Sequence, residues 1–442
     1  MILKSKPNTK FSNNPWSWVP TLYFAEALPY VAVNVISVIM FKNLGMSNTN
    51  LAFYTAWLYF PWVIKPFWSP FVDILKTKRW WAVAMQFLIA ILLAAIAFTL
   101  PLKFYTSITL AVFWLIGFAS ATHDIAADGF YMLALDSQKQ SLFVGIRSTF
   151  YRLATIFAQG VLIYIAGRLE TSLENIPLAW EISFIIMAVL YLLFAIYHYY
   201  ILPKPAEDKA VINNEKLSVA KVFKEFLDTF KTFFQKDHIW IAILFILLFR
   251  LPEAQVVKML GPFMLDSISD GGLGLHTSQV GMVYGTIGVI GLVIGGIIGG
   301  ILVSKHGLKK CLWPMALSIT IPCFVYCYLS MQQPDMTIAS NMVILNLLIF
   351  IEQFGYGFGF TAFLLYMMYF VEGSHKTSHY ALCTAFMALG MMLPGMAAGW
   401  IQSKLGYVGF FWWIMACSVV TLIVTALIKI DSEYGKKQEY SK

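Results

Sequence analysis

Asp124 and Asp128 stand four residues apart in "GFASATHDIAADGF", Gly117 to Phe130, inside an apolar run from Leu110 to Leu135. A spacing of four puts both carboxylates on one face of a helix. In a lipid-embedded helix an ionisable side chain is expensive, about 2.5–3.5 kcal/mol on insertion scales, and marks a functional site by default. A carboxylate beside a guanidinium stays ionised in a dry site, whereas one without such a partner takes up a proton. The pair therefore suits either a gate that makes and breaks an ion pair or a carrier of protons. Arg147 and Arg152, in the next apolar run, can reach that face. A pair that only pins the two helices together is the structural alternative. His123 lies roughly 100° around the helix from Asp124 and reads as a satisfied histidine inside the bundle.

Other ionisable groups recur within apolar runs: Glu26, Lys65, Arg250, Glu253, Lys258 and Glu352. Around them lie Tyr30, Asn34, Gln255, Gln353, Tyr356, Tyr366 and Tyr369. Rings stack on the apolar faces of sugars, and amides pair with hydroxyls. Arg250, Lys258 and Lys65 add an attraction for a carboxylate. Singly, most of these aromatics read as core or interfacial residues.

The elements that must position these groups are membrane helices. Of the 442 residues, 59% are hydrophobic and 12% charged, with a mean hydropathy of +0.71. Soluble domains carry about 25% charge. About twenty apolar residues cross a bilayer, and twelve spans are predicted: 17–41, 49–72, 80–101, 106–135, 142–168, 178–201, 238–265, 277–303, 310–331, 338–371, 377–403 and 406–430. The first run is too long for a signal-peptide core and reads as retained. Lys and Arg exceed Asp and Glu by eight (31 − 23). Such an excess marks cytoplasmic loops rather than a nucleic-acid partner. Basic residues cluster in alternate loops: Lys4, Lys6 and Lys10; Lys76, Lys78 and Arg79; 202–237; Lys305, Lys309 and Lys310; Lys376; Lys436, Lys437 and Lys442. The intervening loops hold Lys42, Lys103, Arg168 and Lys404 with acids such as Glu170, Glu174, Asp266, Asp270 and Asp335. Both termini are thus expected in the cytoplasm, as an even number of spans requires.

The longest polar stretch, 202–237, separates a bundle over 1–201 from a second over 238–442 and its short tail. Its later part sets Val219, Val222, Phe223, Phe226, Phe230 and Phe233 near helical spacing, with lysines between. It reads as an amphipathic helix on the inner leaflet or as a solvated linker. "GTIGVIGLVIGGIIGG", Gly285 to Gly300, predicts close helix packing, not a nucleotide loop. The five cysteines lie in or beside apolar runs, without a metal-ligand pattern. No metal or cofactor is called for. Against an enzyme, the sequence offers no loop large enough for an active-site domain, no nucleophile elbow and no phosphate loop. A channel would show a ring of like charges or a filter loop.

Two basic turns, in "WSPFVDILKTKRWW" after the second span and in "GGILVSKHGLKKCLW" after the eighth, occupy equivalent places in the two halves. Two six-span halves about a long connector resemble the major facilitator superfamily. The resemblance implies an all-α membrane fold whose spans 1, 4, 7 and 10 line a central cavity. Glu26, Asp124, Asp128, Glu253 and Glu352 fall on those four. Within the superfamily, the first half is similar to the bacterial muropeptide permease family. The carrying residues are "IKPFWSPFVD", "ASATHDIAADGF" and "FYRLATIFAQG". Lys65, Trp68, Ser69, Pro70 and Asp73 match one family pattern, Asp124, Ile125 and Asp128 a second, and Tyr151, Arg152 and Leu153 a third. "YMLAL", Tyr131 to Leu135, departs by lacking a further acid.

The resemblance implies a monomeric, proton-coupled carrier in a bacterial inner membrane that imports N-acetylglucosaminyl-anhydro-N-acetylmuramyl fragments. An acidic disaccharide containing a uronic acid is the alternative substrate. The cavity set is Glu26, Tyr30, Asn34, Lys65, Asp124, Asp128, Arg152, Arg250, Glu253, Glu352, Gln353 and Tyr356. Protonation of Glu26, Glu253 or Glu352 would let the halves rock, and Asp73 with Lys78 and Arg79 would latch the cytoplasmic side.

Overall fold

The structure, a computed structural model, describes residues 14–209, 219–372 and 376–436, without the side chains of Asp73 and a few other helical residues. The terminal lysines Lys4, Lys6, Lys10, Lys437 and Lys442 lie outside the described residues. Among the described residues the regular structure is all helical. Ten helices are long and apolar enough to cross a membrane. Eight of them correspond one to one with spans 3 to 10, and a ninth, Pro15–Asn43, with span 1. The remaining spans have local explanations. Span 2 is built from Asn48–Trp57 and Phe60–Leu75, each too short to cross alone. Spans 11 and 12 run on as Lys376–Leu427, broken at Gly406, whose φ of 64° suits a residue without Cβ. Counted with these breaks, the described residues form twelve membrane-crossing segments.

Polar residues set several starts. The side chain of Ser47 accepts from Asn50 N–H and that of Thr77 from Trp80 N–H. Gln279 accepts from His276 N–H in a reciprocal cap before span 8. Pro252 sits in the first turn after a break at Phe249 and Arg250, where its missing N–H costs nothing. Large apolar side chains such as Ile91, Phe98, Leu193 and Val343 are exposed, while Asn34, Gln86, His123, His198 and Lys258 are fully buried. That inversion is what a chain solvated by lipid requires.

Packing divides the chain into two compact units. The first contains Met1–Val33, Phe67–Thr155 and Trp180–Phe226. Its core joins Trp18, Leu22 and Tyr23 of span 1 to Val83, Phe130, Tyr131 and Phe143. The second contains Asn34–Pro66, Ile156–Ala179 and Leu227–Lys442. It thus combines stretches of spans 1, 2 and 5 with the whole second sequence half. Glycines permit that packing. A Cβ on Gly285 would strike the Gln159 carbonyl, one on Gly167 the backbone of Ser278, and one on Gly399 the Asn48 carbonyl. Within the second half, Gly291 and Gly295 meet the carbonyls of Phe350 and Phe354, and Gly357 meets that of Leu292. Spans 8 and 10 therefore touch backbone to backbone, as the glycine pattern predicts.

Three turns open into π-helix: Ala32–Ile36, Phe157–Leu162 and Gly281–Gly288. Such bulges concentrate at functional sites. In the connector, Val219–Phe234 is helical. Phe233 is buried against Phe370, His379 and Phe386, while Leu227 and Phe234 are exposed. One side of this helix thus lies on protein, while the apolar side chains of Leu227 and Phe234 stay exposed.

Candidate functional site

In the first unit Asp128 faces Arg147, at 3.2 Å. Tyr23 O–H donates to Asp128 Oδ1 at 3.0 Å and accepts from Arg147 Nη1 at 3.0 Å. The guanidinium lies 4.6 Å from the Tyr23 ring centre and 5.2 Å from that of Tyr131. The guanidinium at Asp128 is therefore that of Arg147, five residues before Arg152, which is half-buried on the same helix. Asp124 lies one turn before Asp128 and is half-buried. Glu26 is buried on span 1, within electrostatic reach of Arg147. The Asp128–Arg147 pair is one carboxylate on one guanidinium, hydrogen-bonded through Tyr23, and open: the Asp128 side chain is 43% exposed.

His123 belongs to a separate chain of buried polar groups. Gln86 Nε2 stands 2.9 Å from His123 Nε2, and Gln86 Oε1 stands 2.9 Å from His198 Nδ1. His198 Nε2 meets Thr21 Oγ1 at 2.9 Å. With the amide placed so, Gln86 donates to His123 and accepts from His198. The network ties spans 1, 3, 4 and 6 together.

At the cytoplasmic latch predicted from sequence, Lys78 and Arg79 begin span 3. Their backbone N–H groups donate to the Asp208 carboxylate at 2.7 and 2.9 Å, an anion on a helix N-terminus. Arg79 Nε donates to the Leu202 carbonyl at 3.1 Å and Nη2 to that of Tyr199, closing the end of span 6. The Asp73 side chain lies outside the described residues. The Lys78 stem crosses Gly129, where a Cβ would collide with it.

In the second unit Arg250 and Glu253 form a two-pronged pair. Arg250 Nε donates to Glu253 Oε2 at 2.6 Å and Nη2 to Oε1 at 2.8 Å. Nη2 also donates to Tyr356 O–H at 2.7 Å, and the guanidinium lies 4.6 Å from the Phe360 ring centre. Glu352 is buried without a cation among the described residues. Its Oε2 accepts from Tyr326 O–H at 2.6 Å and from Gln353 Nε2 at 2.8 Å. Gln255 is occupied by Trp413 Nε1, at 2.9 Å. Tyr30 and Lys65 are half-buried, and Asn34 is fully buried in the π turn of span 1.

One cluster was not singled out from sequence. Lys42 pairs with Asp266 and donates to Asn48 Oδ1 at 2.7 Å. Asn48 Nδ2 faces Asp266, Gln402 and Tyr407 at 3.0–3.1 Å, and Tyr407 O–H donates to Asp266 at 2.6 Å. Nearby in sequence, Asn43 Nδ2 donates to Glu170 and Thr277, both at 2.6 Å. These residues come from the ends of spans 1, 2, 5, 7, 8, 11 and 12. The available signal was the pairing of Lys42 with acids in other loops of the same set.

The Major Facilitator Superfamily family description matches residues 21–375. The anhydromuropeptide permease of Escherichia coli is 25% identical over 383 residues, covering 85% of this chain and 72% of the relative. A putative AmpG 4 transporter of Rickettsia conorii is 24% identical over 372 residues, covering 82% of this chain and 84% of the relative. Among solved structures, a D-xylose–proton symporter superposes with a TM-score of 0.70 at 13% identity, over 97% of this chain and 99% of the other. The nucleoside transporter NupG superposes at 0.65 with 16% identity, over 95% and 98%. These structural likenesses bear on the fold.

Proposed function

Since the chain belongs to the Major Facilitator Superfamily, a family of multi-pass membrane transporters, we propose that it imports a muropeptide-like glycan fragment, driven by protons, by alternating access. The substrate class is an N-acetylglucosaminyl-anhydro-N-acetylmuramyl disaccharide or its peptide. The membrane is the bacterial inner membrane, with both termini cytoplasmic and the carrier a monomer. The observation that carries the reading is the similarity to an anhydromuropeptide permease over 85% of the chain. That extent reaches well into the second half, where the sequence shows no family motif of its own.

The geometry divides the labour. Rings and amides around Tyr356, Phe360 and Gln353 suit a sugar. The three candidate proton carriers differ in their partners. Glu253 is held by Arg250, so losing its charge would break a buried pair. Glu352 receives two hydrogen bonds and, among the described residues, no cation, so an uncharged carboxyl is the cheaper form there. We assign the coupling proton to Glu352.

The test is uptake into liposomes under an inward proton gradient. Labelled N-acetylglucosaminyl-anhydro-N-acetylmuramic acid should accumulate, a protonophore should collapse the accumulation, and uronic-acid disaccharides should not compete. Strong competition by those disaccharides would move the substrate to the alternative class. Glu352→Gln should end accumulation while retaining counterflow exchange. Full accumulation in that variant would remove Glu352 from coupling.

A further inference from the structure

Lys258 is the second cation of span 7, and the structure treats it unlike the first. Arg250 has a carboxylate on two prongs. Lys258 is completely buried and has no carboxylate within ion-pairing distance among the described residues. Its Nζ donates to the backbone carbonyls of Thr55, at 3.0 Å, and Asn34, at 3.4 Å. It also lies 4.9 Å from the Tyr59 ring centre. The Asn34 carbonyl belongs to the π turn Ala32–Ile36, where the helix ladder is interrupted and carbonyl capacity is left over. Gly395 makes room for the lysine stem: a Cβ there would come within 3.3 Å of Lys258 Cγ.

In its ammonium form this group is held only by dipoles and a ring face. An apolar side chain of the same length would fill the space without a desolvation cost. The arrangement makes sense if it is temporary. Asn34, Thr55 and Tyr59 belong to the first sequence half and Lys258 to the second. In a carrier that admits solute between its halves, opening at the end that holds Asp266 and Asn48 must draw these partners apart. The ammonium then loses both carbonyls and the ring together, and a site for an anion comes into being.

We propose that Lys258 is a stored cation, parked on the carbonyls of Asn34 and Thr55 while that end is closed and released on opening to bind the carboxylate of the incoming solute. It is a specificity-determining residue: it selects acidic over neutral fragments at the moment of entry. Binding of the anion and re-closure compete for one ammonium, so the charge must be handed back before the end can seal. The proposal rests on the carrier reading above, and its test separates the two.

Full-length protein in liposomes is assayed with N-acetylglucosaminyl-anhydro-N-acetylmuramic acid and its methyl ester, in wild type, Lys258→Met and Lys258→Arg. The expected result is a fall of about tenfold or more in the acid-to-ester preference for Lys258→Met, as loss of a charge-assisted hydrogen bond implies, with Lys258→Arg restoring most of it. An unchanged preference, with both compounds losing equally, overturns the proposal. A second arm needs no transport. Lys258→Cys is treated with a membrane-impermeant anionic thiol reagent from the face bearing Asp266, with wild type, whose five cysteines are buried, as the blank. Labelling that the reagent completes from that face supports the release of this position. Absence of labelling from that face overturns it. If wild type carries neither compound while Lys258→Cys is labelled, the muropeptide reading fails and the released site stands.

Discussion

The Asp128 cluster and the span 7 cluster are built from the same residue types and differ in exposure and in charge balance. Around Asp128, one carboxylate meets one guanidinium, a tyrosine hydroxyl bridges them, and two rings hold the cation. Both charged side chains retain substantial exposure, 43% for Asp128 and 31% for Arg147. On span 7 and span 10, the Arg250–Glu253 pair is only 10–12% exposed, and two further ionisable groups, Lys258 and Glu352, are buried with no opposite charge in ion-pairing reach among the described residues. Exposed balanced charges cost little to keep and little to lose. Buried ones are costly either way, so their loss should register strongly, and buried unbalanced ones are where a change of protonation or partner has most leverage.

That contrast can be broken most directly at Glu253. Glu253→Gln takes the two-pronged carboxylate from the buried Arg250 guanidinium, which keeps the Tyr356 hydroxyl and its aromatic faces. Removing one partner of a buried pair costs about 3–5 kcal/mol. The variant should show a large fall in thermal unfolding temperature in detergent, and the double variant Arg250→Met with Glu253→Gln should recover part of it. A single variant as stable as wild type would mean that the pair is wetter than its geometry indicates. An intermediate loss is expected at the Gln86–histidine network. Gln86→Leu deprives His198 Nδ1 of its acceptor and His123 of its donor. The cost should be about 1–3 kcal/mol for the polar groups left unmet. Transport per folded molecule should hold, since none of these atoms faces the solute in the proposed mechanism. A change in substrate affinity at constant stability would place the histidine chain in the site instead.

How much of this was readable in the sequence varies with the range of the interaction. The spans were readable because their signal is local, twenty apolar residues at a time. Even the exceptions, the break at Leu58 and Tyr59 and the turn at Gly406, left the number of crossings intact. Arg250 and Glu253 stand three residues apart, a spacing that lets two side chains meet on one helix face. The isolation of Lys258 was not readable: it lies five residues beyond Glu253, on another face, and its partners are backbone carbonyls of residues over 200 positions away. Nor could spacing choose between Arg147 and Arg152 for Asp128, because the choice depends on where Tyr23 and Tyr131 put their rings. For the polar cluster of Lys42, Asn48, Asp266 and Tyr407 the sequence showed only that Lys42 and Asp266 share one set of loops, not that they meet. Four loop ends meet there, and each looks like an ordinary solvated loop when read alone.

The smallest effect on stability should come from the open cluster, and it is the sharpest check on the comparison. Asp128→Asn keeps an oxygen in place for the Tyr23 hydroxyl and removes the charge opposite Arg147. The guanidinium retains its hydrogen bond to Tyr23 and its two ring contacts, worth about 0.5–1 kcal/mol each at exposed sites. An ion pair this exposed contributes about 0–1 kcal/mol once solvent screening is allowed for. The unfolding temperature of Asp128→Asn should therefore stay close to that of wild type, well above that of Glu253→Gln. If instead Asp128→Asn unfolds as early as Glu253→Gln, exposure is a poor guide to the strength of charge pairing in this protein. The Asp128 cluster would then have to be treated as a buried lock, and its part in transport sought in the breaking of that lock.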